Sequence, residues 1–166
     1  QAFDTRSVVA EQVQSLGGKF VEIDLGETGQ TKDGYAQELT PEQLELQRLG
    51  MKDVISESDI VITTAQLFGR PAPRIVTADM VAAMKKGGVI VDMAVESGGN
   101  VEGSKPDETV EIDGVSIIGV SNLPSQVSSD ASQMYSSNLY NLVSEYWDEE
   151  NKTFNLDLED DILKGC

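Results

Sequence analysis

The chain has no histidine and a single cysteine, Cys166, at its last position. Without histidine it lacks the usual general base near neutral pH and the commonest metal ligand. One cysteine excludes a disulfide framework or a cysteine-based metal site within the chain, and fits a reducing compartment. No apolar run approaches the ~20 residues of a membrane span. Residues 1–20 lack the basic start and apolar block of a signal peptide. Cations are scarce too: 12 Lys and Arg against 29 Asp and Glu give a formal net charge of −17. A field of that sign repels nucleic acid and anionic lipid, so no nucleic-acid partner is expected. Its simplest role is to solubilise the surface. A high-salt habitat and a docking face for a basic partner are the sharper alternatives.

What is present is a chain of 166 residues, 39% apolar, enough for one domain or one domain plus part of another. Its organising stretch is Ile60–Asn100. Two apolar runs rich in β-branched residues, Ile60–Thr63 and Val89–Met93, enclose a helical pattern. Thr77 is placed as its N-cap, Met80, Val81 and Met84 repeat at helical spacing, and Gly87-Gly88 stops it. This is the pattern of a βαβ unit in a parallel sheet. Parallel sheets bind ligands outside the carboxyl ends of their strands, here Thr64-Ala65-Gln66 and Ala94–Asn100.

Before this unit, residues 1–4 read as the end of a strand whose beginning is absent. A helix capped by Thr5 or Ser7 runs to Leu16 and stops at Gly17-Gly18, and Lys19–Leu25 is the next strand. Gly26–Leu39 is a polar loop longer than most connections, a lid or an insertion, and carries Tyr35, one of few aromatic residues. Thr40-Pro41-Glu42-Gln43 starts a helix reaching Ser56, with Gly50 weakening it. After it come a loop or short hairpin over 101–114, a strand over 115–120, a polar loop over 121–129, and a long helix from Asp130 to Trp147. A polar linker follows, then an alternating segment, Thr153–Leu158, of a different domain or partner.

Asp4 precedes a helix and suits either a helix cap or the acid that holds an adenine ribose. The glycine-rich phosphate turn that should come before such an acid is absent, since no glycine pair has that spacing and context. Arg70 and Arg74 flank a stiff Pro-Ala-Pro connection. Asp92 is expected to bond backbone groups inside its strand, with Glu96 at the cleft rim. Gly98-Gly99-Asn100 forms a turn or a close approach to a ligand.

Several stretches together resemble the NAD(H)-binding domain of the proton-translocating transhydrogenase alpha subunits and, more distantly, alanine dehydrogenase. They are AFDTR at 2–6, EQVQSLGGKF at 11–20, DGYA at 33–36, DIVITTAQLFGRPAP at 59–73, MVAAMKKGGVIVDMAVESGGN at 80–100, SNLPS at 121–125 and NLYNLVSEYW at 138–147. The resemblance implies an α/β fold, a Rossmann-type parallel sheet flanked by helices, with its first strand and glycine turn not in this chain. It implies an NAD(H)-binding domain over 1–147, and a return segment over 148–166 toward a preceding domain.

The implied activity is hydride transfer between NAD(H) and NADP(H), coupled to proton translocation. No side chain acts as nucleophile there, which agrees with the absence of histidine. By motif, Asp4, Thr5 and Arg6 would hold the adenine ribose. Gly34 and Tyr35 would tip a mobile loop over the adenosine, and Gln47 would face the adenine. Thr64, Ala65 and Gln66 would line the cleft, Gln66 departing from the usual leucine and contacting through backbone only. Asn122, Leu123 and Pro124 would lie near the nicotinamide. Implied partners are the preceding part of the same subunit, the NADP(H)-binding and membrane domains, and a second copy in a homodimer. The implied location is peripheral, on the cytoplasmic or mitochondrial matrix face of a membrane. Part of an alanine-dehydrogenase-like oxidoreductase and a non-catalytic interaction module are the rival readings.

Overall fold

The computed structural model describes residues 1–6, 8–26, 39–67 and 69–165. The chain divides into two compact units, Gln1–Ser121 and Asn122–Cys166.

In the first unit the two expected early strands meet only as a parallel bridge between Ala2 and Phe20. Ala2 N–H donates to Lys19 O at 2.9 Å and Val21 N–H to Ala2 O at 2.8 Å. Helix α1, Val9–Ser15, has Val8 at its N-cap with no side-chain cap bond, and Ser7, one of the two expected caps, lies outside the described residues. Helix α2, Pro41–Glu57, begins as the sequence predicts: Thr40 and Gln43 form a reciprocal capping box with Pro41 at the first turn. Gly50 is not simply a weak point. A Cβ there would sit 2.9 Å from Ile23 Cδ1, so the glycine lets α2 lie directly on the 19–25 segment.

The sheet is built from β1 (Ile60–Thr63), β2 (Val89–Asp92), β3 (Glu108–Ile112) and β4 (Val115–Gly119), in the order β1-β2-β4-β3. The pairs β1·β2 and β2·β4 are parallel, and β3 returns antiparallel to β4. The β3–β4 hairpin turns at Asp113-Gly114, whose φ values of 53° and 81° suit a two-residue turn. Helix α3, Ala78–Ala83, crosses between β1 and β2. Thr77 does not cap it; its hydroxyl bonds Asp79 instead, and Glu102 Oε2 accepts from Ala78 N–H at 2.7 Å. The expected helix triad Met80, Val81 and Met84 is buried, packed with Ile55, Val76, Ile90, Val101, Val115 and Ile117. Among the described residues, β1 is paired on its β2 side only. Ile60 and Ile62 stand 66% and 62% exposed on it, so the two-sided pairing that would close the sheet there is not formed.

The second unit holds α4 (Leu123–Gln126), α5 (Ser128–Glu145), β5 (Trp147–Asp148), β6 (Thr153–Phe154) and α6 (Asp161–Gly165). The polar 121–129 segment thus contains a helical turn, and the long helix starts two residues before Asp130. The alternating tail contributes only Thr153 and Phe154 to a strand, paired with Asp148 and Trp147. Trp147 meets Phe154 edge-on at 5.0 Å. Asp148 closes the turn between them by accepting from the Glu150 and Asn151 backbone. Tyr146 Oη donates to Asp160 at 2.9 Å, and this bond with two backbone N–H groups holds the Asp160 carboxyl below the usual range. On α5, Met134, Tyr135, Leu139, Tyr140 and Val143 are exposed. No helix among the described residues is long and apolar enough to cross a membrane.

Candidate functional site

The loop after β2 is held by one buried side chain, which also reaches β1 through a long contact with the Thr63 hydroxyl. Asp92, fully buried at the end of β2, accepts four hydrogen bonds. Its Oδ1 takes Ala94 N–H at 3.0 Å, Asn100 N–H at 3.2 Å and the Thr63 hydroxyl at 3.4 Å; its Oδ2 takes Val101 N–H at 3.1 Å. The expectation of a backbone-bonded aspartate therefore holds, and Asp92 is committed to shape rather than to acid–base work. Between its partners the chain turns through a 3-10 segment, Val95–Ser97, and two glycines. Gly99 has φ +78°, and a Cβ on it would lie 2.7 Å from Asp92 Oδ2. Only glycine fits against the carboxylate in that backbone state.

The facing wall comes from Thr64–Gln66, just past β1. Thr64 and Gln66 are exposed and Ala65 half-buried. Ala65 is tied to Asn100 through both of its backbone groups. Gln66 Nε2 donates to Met93 O at 3.2 Å, linking the ends of the two strands. The Pro-Ala-Pro connection behind them is structural. Ala72 N–H donates to Ser97 O at 2.7 Å, and Arg74 Nη1 to Val101 O at 2.8 Å. Glu96 is exposed.

Asp4, Thr5 and Arg6 lie just past the Ala2 bridge. Asp4 accepts from Arg6 N–H at 2.8 Å, Nε at 3.0 Å and Nη2 at 2.9 Å. Burial pushes the Asp4 carboxyl up, but the Arg6 hydrogen bonds and charge outweigh it and hold the group below its usual range. The resulting unit presents a carboxylate in a fixed orientation. Gln47 is half-buried on α2, one turn after Gln43, whose Nε2 donates to Leu25 O at 2.9 Å. Gly34 and Tyr35 lie outside the described residues. In the second unit, Asn122 has a left-handed backbone, φ 48° and ψ 45°, and precedes Leu123-Pro124 at the start of α4. Sequence reasoning missed the role of Asn100. The signal was a polar residue directly before an apolar one after two glycines, in a segment already placed at the strand ends.

Chemically, the first unit offers the exposed Thr64 and Gln66 with Ala65 between them at parallel strand ends, and an acid fixed beside an arginine. Among the described residues no cluster of three or more acidic, histidine or cysteine side chains could hold a metal ion.

The family model of the alanine dehydrogenase/PNT C-terminal domain matches residues 1–166. The chain is 42% identical over 166 residues to a curated NAD(P) transhydrogenase subunit alpha polypeptide of Rhodospirillum rubrum, covering 99% of this chain and 43% of that one. Among solved structures, transhydrogenase from Sinorhizobium meliloti is similar with TM-score 0.64 and 38% identity over 85% of this chain and 35% of that one. An L-alanine dehydrogenase is similar with TM-score 0.58 and 28% identity over 79% of this chain and 32% of that one. The chain spans less than half the length of the curated relatives it matches.

Proposed function

From the premise that the chain belongs to the alanine dehydrogenase/PNT C-terminal domain family, we propose that it is the NAD(H)-binding part of a transhydrogenase alpha subunit. In that role it takes part in hydride transfer between NAD(H) and NADP(H), coupled to proton translocation by partner domains. The observation that carries this reading is similarity to a transhydrogenase alpha subunit across 99% of the chain, at 42% identity. The fold agrees, since the mixed, mainly parallel sheet has the strand ends at which such ligands bind.

The residues present fit part of the cofactor. Asp4 would accept from the adenine-ribose hydroxyls, with Thr5 beside it and Arg6 fixing the carboxylate. A carboxylate there would repel a 2′-phosphate, which favours NAD(H) over NADP(H). Gln47 would face the adenine, and Gly34 and Tyr35 would belong to a loop closing over it. Thr64, Ala65 and Gln66 would form the cleft wall. The glycine-rich pyrophosphate turn is not in this sequence. When bound, NAD(H) supplies the hydride. The protein's own contribution is to bind, to orient the dinucleotide and to exclude water; it supplies no nucleophile or base.

The proposal assigns 1–147 to the NAD(H)-binding domain and 148–166 to a segment leading toward a second domain. Its partners would be the rest of the subunit, the NADP(H)-binding and membrane domains, and a second copy of the subunit, with a peripheral position at the membrane. Exposed apolar side chains on α5 suit contact with such partners. The test combines the native polypeptide with its NADP(H)-binding partner and follows reduction of an NAD+ analogue by NADPH. Transfer that needs both components is expected. Alanine-dependent reduction of NAD+ without any NADPH-dependent transfer would favour the alanine dehydrogenase reading instead.

A further inference from the structure

Asn100 is polar yet wholly buried, and its amide serves two other segments of the chain. Its Oδ1 accepts from Ala65 N–H at 3.0 Å. Its Nδ2 donates to Ala65 O at 2.9 Å and to Pro73 O at 2.8 Å. Its own N–H donates to Asp92 at 3.2 Å, and its carbonyl accepts from Ile75 and Val76 N–H at 2.8 and 2.9 Å. One residue thereby joins the end of β1, the Pro-Ala-Pro connection and the loop after β2.

The consequence falls on Ala65. The β1–β2 ladder ends where Met93 N–H donates to Thr63 O at 3.0 Å. Beyond that point Ala65 has, among the described residues, no strand partner to satisfy its peptide groups. A primary amide carries an acceptor and a donor on one carbon, as a peptide does across its C–N bond. Asn100 therefore bonds both backbone groups of Ala65 and continues the pairing past the end of the ladder. Aspartate would keep the acceptor but lose both donors, and glutamine would need room for a methylene in a fully buried site. The Asp92 carboxylate and Gly99 hold the loop that presents the amide at this height.

We propose that Asn100 is a positioning residue for the nicotinamide dinucleotide: it fixes the Thr64–Gln66 wall in the geometry that the bound cofactor requires. This rests on the reading of that wall as part of the NAD(H) cleft. With the Ala65 peptide groups already engaged, the wall meets the ligand through the Ala65 methyl and the flanking Thr64 and Gln66.

The test is an NADH fluorescence titration of the native polypeptide that reads both Kd and the number of sites. It compares wild type, Asn100→Ala, Asn100→Asp and Ile117→Ala, at a temperature where circular dichroism shows each folded. Ile117 is buried in the core on β4, a strand that contributes no residue to the wall. A variant that is merely destabilised loses sites and keeps its Kd. Both Asn100 variants are expected to keep their sites and bind NADH about tenfold or more weakly, as misplaced contacts do, while Ile117→Ala keeps the wild-type Kd. Wild-type Kd in both Asn100 variants overturns the proposal and leaves the NAD(H) reading standing. No saturable NADH binding by wild type overturns that reading and the proposal with it. If the Asn100 variants do not fold, amide exchange on wild type decides. The Ala65 N–H is expected to be protected, and more so with NADH. Rapid exchange, or protection unchanged by NADH, overturns the proposal.

Discussion

Replacing Asp92 with asparagine keeps the shape of the side chain and changes the bonding of one atom. The Asp92 Oδ1 site receives three donors, so the new amide places its oxygen there. The nitrogen then faces Val101 N–H, which now donates to Asp92 Oδ2 at 3.1 Å. Two donors meet in a region where Asp92 and Val101 are both 0% exposed. The lost bond to a carboxylate and the stranded N–H together cost about 3 kcal/mol. Asp92→Leu strands three backbone N–H groups and costs more. Urea unfolding measures this: at a slope of about 2 kcal/mol/M the asparagine variant should unfold about 1.5 M earlier with its slope unchanged. Amide exchange should quicken first at Ala94, Asn100 and Val101. A midpoint shift under about 0.3 M, or leucine tolerated better than asparagine, would refute the view that this carboxylate organises the strand ends.

Gly99→Ala places a Cβ 2.7 Å from Asp92 Oδ2 at φ +78°, so it should destabilise by about 2 kcal/mol or more, measured by the same unfolding assay. Met80→Ala empties a fully buried core position and should cost about 2–5 kcal/mol in thermal or urea unfolding. Asp79 is held down to about 2 by its bond to Lys52 first and then Thr77, with the Lys52 and Arg48 charges adding. Its folded value is depressed, so its contribution is complete above the unfolded value of 3.8 and fades as pH falls toward about 2. The stability gap between wild type and Asp79→Asn should therefore shrink over that acid window and with added salt; a gap that widens on acidification would contradict the sign.

The βαβ unit was legible because its signals are local and agree. Met80, Val81 and Met84 repeat at helical spacing, Gly87-Gly88 follows, and β-branched runs sit on either side. The Thr40 capping box was legible for the same reason. What escaped reading depends on tertiary partners. Lys19–Leu25 has the composition of a strand, but among the described residues only Phe20 finds a bridge partner, in Ala2. Thr77 has the right side chain for a cap, yet Glu102 reaches the helix end from 24 residues away. Gly50 reads as a weak helix residue until Ile23 is seen against it. At the site, the segments Thr64–Gln66 and Ala94–Asn100 followed from the rule for parallel strand ends. The role of Asn100 did not, because a side chain imitating a peptide group leaves no periodic trace.

The claim that this chain binds NAD(H) at its strand ends is tested most directly by equilibrium titration of the native polypeptide with NADH and with NADPH, repeated with Asp4→Ala. Saturable NADH binding is expected, with much weaker NADPH binding, and with loss of both affinity and that preference when the Asp4 carboxylate is removed. Equal affinity for the two nucleotides in wild type, or a preference unchanged by Asp4→Ala, would contradict it.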